Sequence, residues 1–268
     1  MTESEPIIQV RNLVKSFDGR VVLDGINLTV EKGSVTAIMG GSGCGKSTLL
    51  RHLIGVIRPD SGEIIVRGKD ITKLDEGGME DYRKHFGMLF QMGALLNSLS
   101  VHDNIALPLR EHTKLDEKII GMMIKMKLEL VGLRDFDHLK PSQLSGGMQK
   151  RVALARAIAL DPEIVFYDEP TSGLDPVVSG VIDELIMNLS RGMKITSVVV
   201  THDTRSAFKI ADKMVVLFRG KVVAEGPPEE IQNSTDPLVQ QFIAGSPDGP
   251  IPLRQSSRDY LDDLLDME

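Results

Sequence analysis

One short segment, residues 40–47, constrains this chain more than any other stretch, because it fits the pattern G-x-x-x-x-G-K-[ST]. It lies between a mostly apolar run at 34–39, suited to a buried strand, and a run with helical spacing at 48–54. Glycines let such a loop curl so that successive N–H groups point inward at a polyanion, and the following helix adds the positive end of its dipole. A flexible glycine-serine loop could match by accident, but it would not need these flanks. The segment therefore predicts a phosphate-binding loop.

Two side chains of this loop have predicted chemical roles. Lys46 would neutralise the β and γ phosphates of a nucleotide, and the Ser47 hydroxyl would be a ligand of Mg²⁺. Cys44 is the only cysteine, so it cannot form an intrachain disulfide. A thiol here could be a nucleophile or a redox sensor, but a small side chain filling a variable loop position is the simpler interpretation. The residues expected to surround the phosphates are Gly40, Gly41, Ser42, Gly43, Cys44, Gly45, Lys46, Ser47 and Thr48.

The composition fits one large α/β domain and disfavours several other classes. The chain has 268 residues, of which 41% are hydrophobic, so it can bury a full core. Its 31 Lys and Arg against 38 Asp and Glu give a net charge of −7, which argues against a dedicated nucleic-acid-binding protein with a basic face. No apolar run approaches the roughly 20 residues that cross a bilayer, and residues 1–6 lack the features of a signal peptide. We expect the chain to stay in the cytosol.

Alternating strand and helix patterns predict the fold class. Apolar stretches separated by turns predict an antiparallel sheet over residues 7–30 and a strand at 63–66. Phe17, just before the turn in this region, could be a core residue or could stack on an adenine ring. A helix with one apolar face is predicted within 178–189. Further strands are predicted at 86–90, 163–167, 197–201, 214–218 and 221–224. This alternation predicts a largely parallel sheet with its ligand site at the carboxyl ends of the strands.

From about residue 97 to residue 143 the pattern changes from β to α, which predicts a helical insertion. Within it, apolar residues recur at helical spacing at Ile119, Met122, Met123, Met126, Leu130 and Leu133. Methionines can form a partner surface. Core packing is the default interpretation of such a stripe.

Three further segments complete the candidate site. Asp168 and Glu169 follow an apolar strand, so Asp168 could hold Mg²⁺ while Glu169 polarises a water for attack on the γ phosphate. His202 follows a second strand, which should place it at the same sheet edge and within reach of the γ phosphate. The small-residue segment 144–148 precedes a helix, so it predicts a second anion-binding helix start.

Taken together and in this order, these motifs resemble the nucleotide-binding subunits of ATP-binding cassette (ABC) transporters. The resemblance extends over nearly the whole chain to about residue 230. The matching elements are the Walker A loop 40–47, the Q-loop Gln91, the signature Ser145, Gly146 and Gly147, the Walker B residues Asp168 and Glu169, the D-loop Asp175 and the switch His202. The family implies an α/β P-loop NTPase fold with a RecA-like core, an antiparallel β subdomain and a helical subdomain at about 95–160. It further implies a nucleotide-binding domain at 1–245 and a C-terminal extension at 246–268.

The resemblance also implies roles for these residues. Two subunits would face each other head to tail, with each ATP lying between one Walker A loop and the Ser145 and Gly147 of the other subunit. Glu169 would activate water, while Lys46, Gln91 and His202 would organise the transition-state charge. Phe17 would stack on the adenine, Asp175 would lie beside the nucleotide, and Mg²⁺ would be bound by Ser47, Gln91 and Asp168. Many family members carry glutamine where this chain has Met148. The methionine should make this position less polar without loss of function.

A narrower resemblance comes from stretches between the motifs, at 90–96, 108–113 and 248–254, which are similar to the ATPases of Mla phospholipid transport systems. In that family the ATPase pair sits on the cytoplasmic face of the bacterial inner membrane, under a permease. A small STAS-domain protein binds the helical region, and a periplasmic lipid-binding subunit belongs to the same complex. The extension 246–268 would then be a docking arm on the partner subunit. Taken alone, this acidic segment with its apolar stripe could equally be a frayed tail.

Three alternatives share part of the motif set. A regulatory GTPase would need a D-x-x-G spacing after Asp168, and the sequence instead continues Glu169-Pro170-Thr171. A non-transport ABC ATPase would be expected to carry long coiled coils or two cassettes. The ATPase of an amino-acid or other small-solute importer shares every catalytic motif, so cargo stays open between phospholipid and small solutes.

Overall fold

The computed structural model of this chain describes residues 6–251, which contain ten strands and nine α-helices. The strands are β1 (Pro6–Phe17), β2 (Arg20–Glu31), β3 (Val35–Gly40), β4 (Ser61–Val66), β5 (Lys69–Asp70), β6 (Phe86–Leu89), β7 (Ile164–Asp168), β8 (Thr196–Thr201), β9 (Lys213–Phe218) and β10 (Lys221–Gly226). The helices are α1 (Lys46–Leu53), α2 (Glu76–Arg83), α3 (Val101–His112), α4 (Glu117–Leu130), α5 (Gly146–Ala157), α6 (Pro176–Met193), α7 (Thr204–Ile210), α8 (Pro228–Gln232) and α9 (Pro237–Ala244). None of these helices combines the length and the apolar character needed to span a bilayer.

The smaller sheet is antiparallel and has the strand order β2-β1-β4-β5. Asp18 and Gly19 close the β1–β2 hairpin with φ values of 48° and 78°. Positive φ at both turn residues matches the right-handed twist of the two strands. The antiparallel sheet predicted over residues 7–30 is therefore confirmed.

The larger sheet has the order β10-β9-β3-β8-β7-β6, and every neighbouring pair is parallel except β9 and β10. β3 and β8 are buried along their whole length, which explains why neither contains a charged residue. Because parallel strands end at one edge, the segments after β3, β8, β7 and β6 lie beside one another. Those segments are the phosphate loop and the stretches that carry His202, Glu169 and Gln91. The predicted α/β fold with a largely parallel sheet is confirmed, and the ligand site at its carboxyl edge stays a prediction.

Three hydrophobic cores pack on the larger sheet, and two of them meet β7 from opposite faces. Val165 and Tyr167 of β7 pack in a core shared with helices α3, α4 and α5. The alternate residues, Ile164 and Phe166, pack in a core shared with α1 and the antiparallel sheet. This alternation is the normal consequence of the strand period of two. The carboxyl edge of the sheet is thereby fixed from both sides.

Helix α4 has two apolar faces, and only one of them is buried. Its core face consists of Ile120, Ile124 and Leu128. Met122 and Met126 are 59% and 67% exposed. With Ile119 and Leu130, which are also exposed, they form what we call the α4 stripe. Core packing of the predicted stripe is therefore wrong for these four residues, because Ile120, Ile124 and Leu128 occupy the core instead. It is confirmed for Met123, which packs against the core, and for Leu133, which is buried in it.

Candidate functional site

The phosphate loop has the backbone that its glycines predict. A Cβ atom on Gly40 (φ 153°) would lie 2.3 Å from the Leu217 carbonyl oxygen, and one on Gly45 (φ 109°) would lie 2.8 Å from Leu23 Cδ2. Only glycine therefore fits these two positions. Helix α1 begins directly after Gly45 and has no side-chain cap. The N–H groups of its first turn are thus available to an anion, which the helix dipole also favours.

Lys46 is buried and crosses the loop. Its Nζ donates hydrogen bonds to the carbonyl oxygens of Gly40 at 2.7 Å and Gly41 at 3.0 Å. Cys44 packs in the core beneath the loop, and burial raises the pKa of its thiol. The interpretation of Cys44 as a filling side chain therefore agrees with its surroundings, because a protonated, buried thiol is a poor nucleophile.

Asp168 ends β7 and has a carboxylate suited to a cation. Its Oδ1 atom is buried and has no hydrogen-bond partner within the described residues. Burial raises the pKa of Asp168, and the neighbouring charge of Glu169 raises it further. A buried, unpaired carboxylate oxygen is costly unless a ligand completes it. The residue therefore fits a role in holding Mg²⁺, a cation that prefers oxygen ligands.

Glu169 is held in a left-handed conformation (φ 47°) that turns the chain sharply away from β7. This backbone costs on the order of 1–2 kcal/mol for a residue with a Cβ. Its N–H donates to the Val200 carbonyl at 2.8 Å, which is the last bond of the parallel ladder between β7 and β8. Such strain is typical of functional positions that the surrounding structure fixes.

The Glu169 carboxylate contacts the segment after β8. His202 places Nδ1 2.8 Å from Glu169 Oε2, and the His202 N–H and the Thr201 hydroxyl donate to the same oxygen, each at 3.3 Å. The Glu169 side chain is largely buried, whereas that of His202 is mostly exposed. The predicted convergence of these two residues at one sheet edge is confirmed.

Gln91 follows β6, and its side chain is exposed. Its main-chain carbonyl accepts a hydrogen bond from Lys150 Nζ, which also donates to the Glu169 carbonyl at 3.2 Å. Arg156 donates to the carbonyls of Gly93 and Ala94, each at 2.8 Å. Neither cation was predicted from the sequence. Their only signal was that α5, which is rich in small and apolar residues, also carries cations at positions 150, 151 and 156.

The signature segment begins α5. The Ser145 hydroxyl caps this helix by accepting from the Met148 N–H at 3.3 Å, and Ser145 and Gly146 are exposed. A Cβ on Gly147 would lie 2.4 Å from Val178 Cγ1, so close packing against α6 requires glycine. Met148 packs against the helical core, which explains an apolar residue at that position. Within residues 6–251, no hydrogen bond or ion pair joins this segment to the phosphate loop of the same chain.

Two predicted nucleotide contacts lie on exposed surfaces. Phe17 is 43% exposed, so its interpretation as a core residue is wrong, and the ring lies 5.4 Å from Lys15 Nζ. Asp175 caps α6 by accepting from the N–H groups of Val177 at 2.9 Å and Val178 at 3.0 Å. Stacking of Phe17 on adenine and contact of Asp175 with the nucleotide stay predictions.

Comparison with known proteins is consistent with this geometry. The family described as ABC transporter matches residues 23–172. The chain is 46% identical to the intermembrane phospholipid transport system ATP-binding protein MlaF of Haemophilus influenzae, over 98% of this chain and 100% of that protein. It is 43% identical to the probable ribonucleotide transport ATP-binding protein mkl of Mycobacterium tuberculosis, over 93% of this chain and 70% of that protein. Among solved structures, the dimeric ATP-binding cassette MJ0796 bound to ADP and Pi aligns with a TM-score of 0.77 and 31% identity, over 82% of this chain and 98% of that chain.

Proposed function

The chain belongs to the ABC transporter family, and we propose that it is the ATP-hydrolysing subunit of a complex that moves phospholipid between the inner and outer membranes, maintaining outer-membrane lipid asymmetry. One observation carries this proposal. It is the 46% identity, over 98% of the chain, to a relative named for intermembrane phospholipid transport. The subunit would lie peripherally on the cytoplasmic face of the inner membrane.

Nucleotide binding follows from the loop geometry. The N–H groups at the start of α1 and the Lys46 ammonium would hold the phosphates of ATP, and Phe17 would stack on its adenine. Mg²⁺, when bound, would neutralise charge on the phosphates, and Ser47, Gln91 and Asp168 would hold it. The unpaired Oδ1 of Asp168 supports its place in that set.

Hydrolysis would centre on Glu169. Its carboxylate accepts a proton from water as the water oxygen attacks the γ-phosphorus, and the bond to the β–γ bridging oxygen breaks to give ADP and phosphate. His202 and Thr201 hold the carboxylate in place through Oε2. Lys46 and His202 would stabilise the charge of the transition state.

We propose that a second copy of the chain completes each site. The signature Ser145, Gly146 and Gly147 would supply donors to the ATP bound by the other copy, with Asp175 beside it. The exposure of Ser145 supports this arrangement, as does the absence, within residues 6–251, of polar contacts between the signature and its own phosphate loop. The related cassette MJ0796 is dimeric.

Two exposed apolar surfaces suit the membrane complex. Met92, which directly follows Gln91, is 85% exposed, and Phe90 and Leu96 in the same segment are also exposed. We assign this surface to an inner-membrane permease. The α4 stripe would bind the small STAS-domain protein, and a periplasmic lipid-binding subunit would complete the complex. No nucleic-acid partner is proposed for this acidic chain.

The proposed domain division places the nucleotide-binding domain at 1–245, with helices α3, α4 and α5 in a helical subdomain at about 95–160. The extension 246–268 would dock on the partner subunit. Its residues 252–268 lie outside the described part of the chain. The segment up to Ile251 is fixed by Gln241, whose Oε1 accepts from the Ile251 N–H at 2.6 Å and whose Nε2 donates to the Ser246 carbonyl at 3.3 Å.

The decisive experiment is purification of the complex from its native membrane, followed by mass spectrometry of its proteins and lipids. We expect a permease, a lipid-binding periplasmic subunit and bound phospholipid. Reconstituted between two vesicle populations, the complex should transfer fluorescent phospholipid with ATP, and the Glu169→Gln complex should not. Co-purification of a solute-binding protein without lipid enrichment would contradict the proposal.

A second candidate cargo is a ribonucleotide, because the mycobacterial relative carries that name at 43% identity. The ATPase mechanism would be the same. ATP-dependent uptake of labelled ribonucleotide by vesicles, without phospholipid transfer, would favour this candidate over the first.

A further inference from the structure

Lys150 lies where two loops of the site meet the signature helix. Its side chain is buried, and its ammonium donates to the main-chain carbonyls of Gln91 and Glu169. Within residues 6–251, no carboxylate lies within ion-pair distance of it. Burial lowers the pKa of Lys150, and the charges of Asp168 and Glu169 oppose that shift. A buried cation is costly unless polar groups compensate it, and here the two carbonyl oxygens do so.

Arg156, six residues further along α5, contacts the next part of the Q-loop segment. Its guanidinium holds the carbonyls of Gly93 and Ala94, so α5 fixes the Q-loop segment at both ends. A Cβ on Gly93 would lie 3.5 Å from Ala153 Cβ, so the loop packs directly on the helix between the two cations. The Q-loop segment and α5 therefore form one unit in this state.

Lys150, unlike Arg156, also contacts the segment that follows β7. The Glu169 carbonyl that it contacts belongs to the strained residue whose carboxylate faces His202. Removing Lys150 would leave that turn without its donor from α5. Removing Arg156 would loosen the Q-loop but leave the Glu169 contact in place.

We propose that Lys150 is a positioning residue that sets Gln91 and Glu169 in register with the helix carrying Ser145. The inference rests on the proposed function, in which Glu169 acts on a subunit's own ATP while Ser145 serves the ATP of the other subunit. If α5 moves when two copies come together around ATP, the movement reaches the catalytic sites of both copies. Charged hydrogen bonds hold α5 to both loops, and such a link is what energetic coupling between the two ATP sites requires.

The test compares complexes carrying Lys150→Met, Lys150→Arg or Arg156→Met with the wild type. Steady-state ATP hydrolysis gives kcat, KM and the Hill coefficient, and fluorescently labelled ATP gives nucleotide affinity. For Lys150→Met we expect kcat to fall about 10- to 100-fold, the scale of a misplaced catalytic group, with affinity within about threefold. The Hill coefficient should fall from about 2 toward 1 as the two sites uncouple. Lys150→Arg should recover most of kcat, and Arg156→Met should lose less than about threefold.

The inference is overturned if Lys150→Met keeps kcat within about threefold, if Arg156→Met loses as much, or if nucleotide affinity falls in parallel with kcat. Should Lys150→Met fail to assemble, Lys150→Gln retains one amide donor and should give an intermediate kcat. A wild-type value for Lys150→Gln would then refute the inference. Failure of the proposed function would look different, because the wild-type complex itself would carry no phospholipid or hydrolyse no ATP.

Discussion

Replacing Glu169 with glutamine isolates the proposed chemical step from folding and binding. Glutamine has the same shape, and its amide oxygen can accept the hydrogen bonds that Thr201 and the His202 N–H now donate to Oε2. The variant loses only the negative charge and the ability to take a proton from water. The left-handed backbone at this position is unaffected, because glutamine meets the same constraint as glutamate.

The expected magnitude follows from the role of the lost group. General-base catalysis contributes about 10²- to 10⁴-fold, so kcat should fall by that factor, or about 2.7–5.4 kcal/mol at 1.36 kcal/mol per decade. Nucleotide affinity should be retained or should rise. The charge of Glu169 helps to raise the pKa of Asp168, so its removal makes the proposed Mg²⁺ ligand easier to ionise.

The assay measures phosphate release and nucleotide binding on the purified complex, with thermal unfolding as a control for folding. We expect Tm to stay within about 3 °C of the wild type, since about 1 kcal/mol shifts Tm by 2–4 °C in a chain of this size. Because Glu169→Gln should bind ATP without hydrolysing it, two copies of the variant should stay associated around ATP for longer than two wild-type copies. A kcat within tenfold of the wild type would refute the assignment of Glu169, and an equal loss of nucleotide affinity would show that the residue serves binding.

Asp168→Asn should raise the Tm of the nucleotide-free chain near pH 8, because a carboxyl whose pKa is raised in the folded state destabilises the fold when it is ionised. The gain in Tm should shrink as the pH falls through that raised pKa, and a Tm difference that does not change with pH would contradict the prediction. The Cys44 thiol, whose pKa is raised by burial, should react with a thiol reagent at pH 7 only after unfolding, so rapid labelling of the native chain would contradict its buried position. Met122→Glu with Met126→Glu should leave Tm within about 3 °C yet remove the STAS-domain protein from the purified complex, whereas the matched core change Ile120→Ala should cost about 2–5 kcal/mol of stability.

The features that depend on residues close together in the sequence could be predicted from the sequence. The phosphate loop depends on glycines at 40 and 45 and on the strand and helix beside them, so the motif contains its own explanation. Glu169 and His202 directly follow the strands β7 and β8, and parallel strands end at one edge. The convergence of His202 on Glu169 could therefore be predicted without coordinates.

The features that could not be predicted depend on contacts between segments that are distant in the sequence. The apolar pattern of α4 fits two faces, and only packing against α3 and α5 selects Ile120 and Ile124 for the core. Phe17 is exposed because of its place at a hairpin end, which its residue type does not reveal. The contact of Lys150 with Gln91 joins positions 59 residues apart, and no short motif records it.

Helix α4 also bears on how the cell must make this protein. A helix that is apolar on two faces is stable in water only when both faces are buried. The fold of this chain buries one of them. A copy synthesised in excess of its partners would carry the other face into a crowded solution, where exposed apolar patches favour aggregation. Synthesis in balance with the proposed partner would keep this face covered.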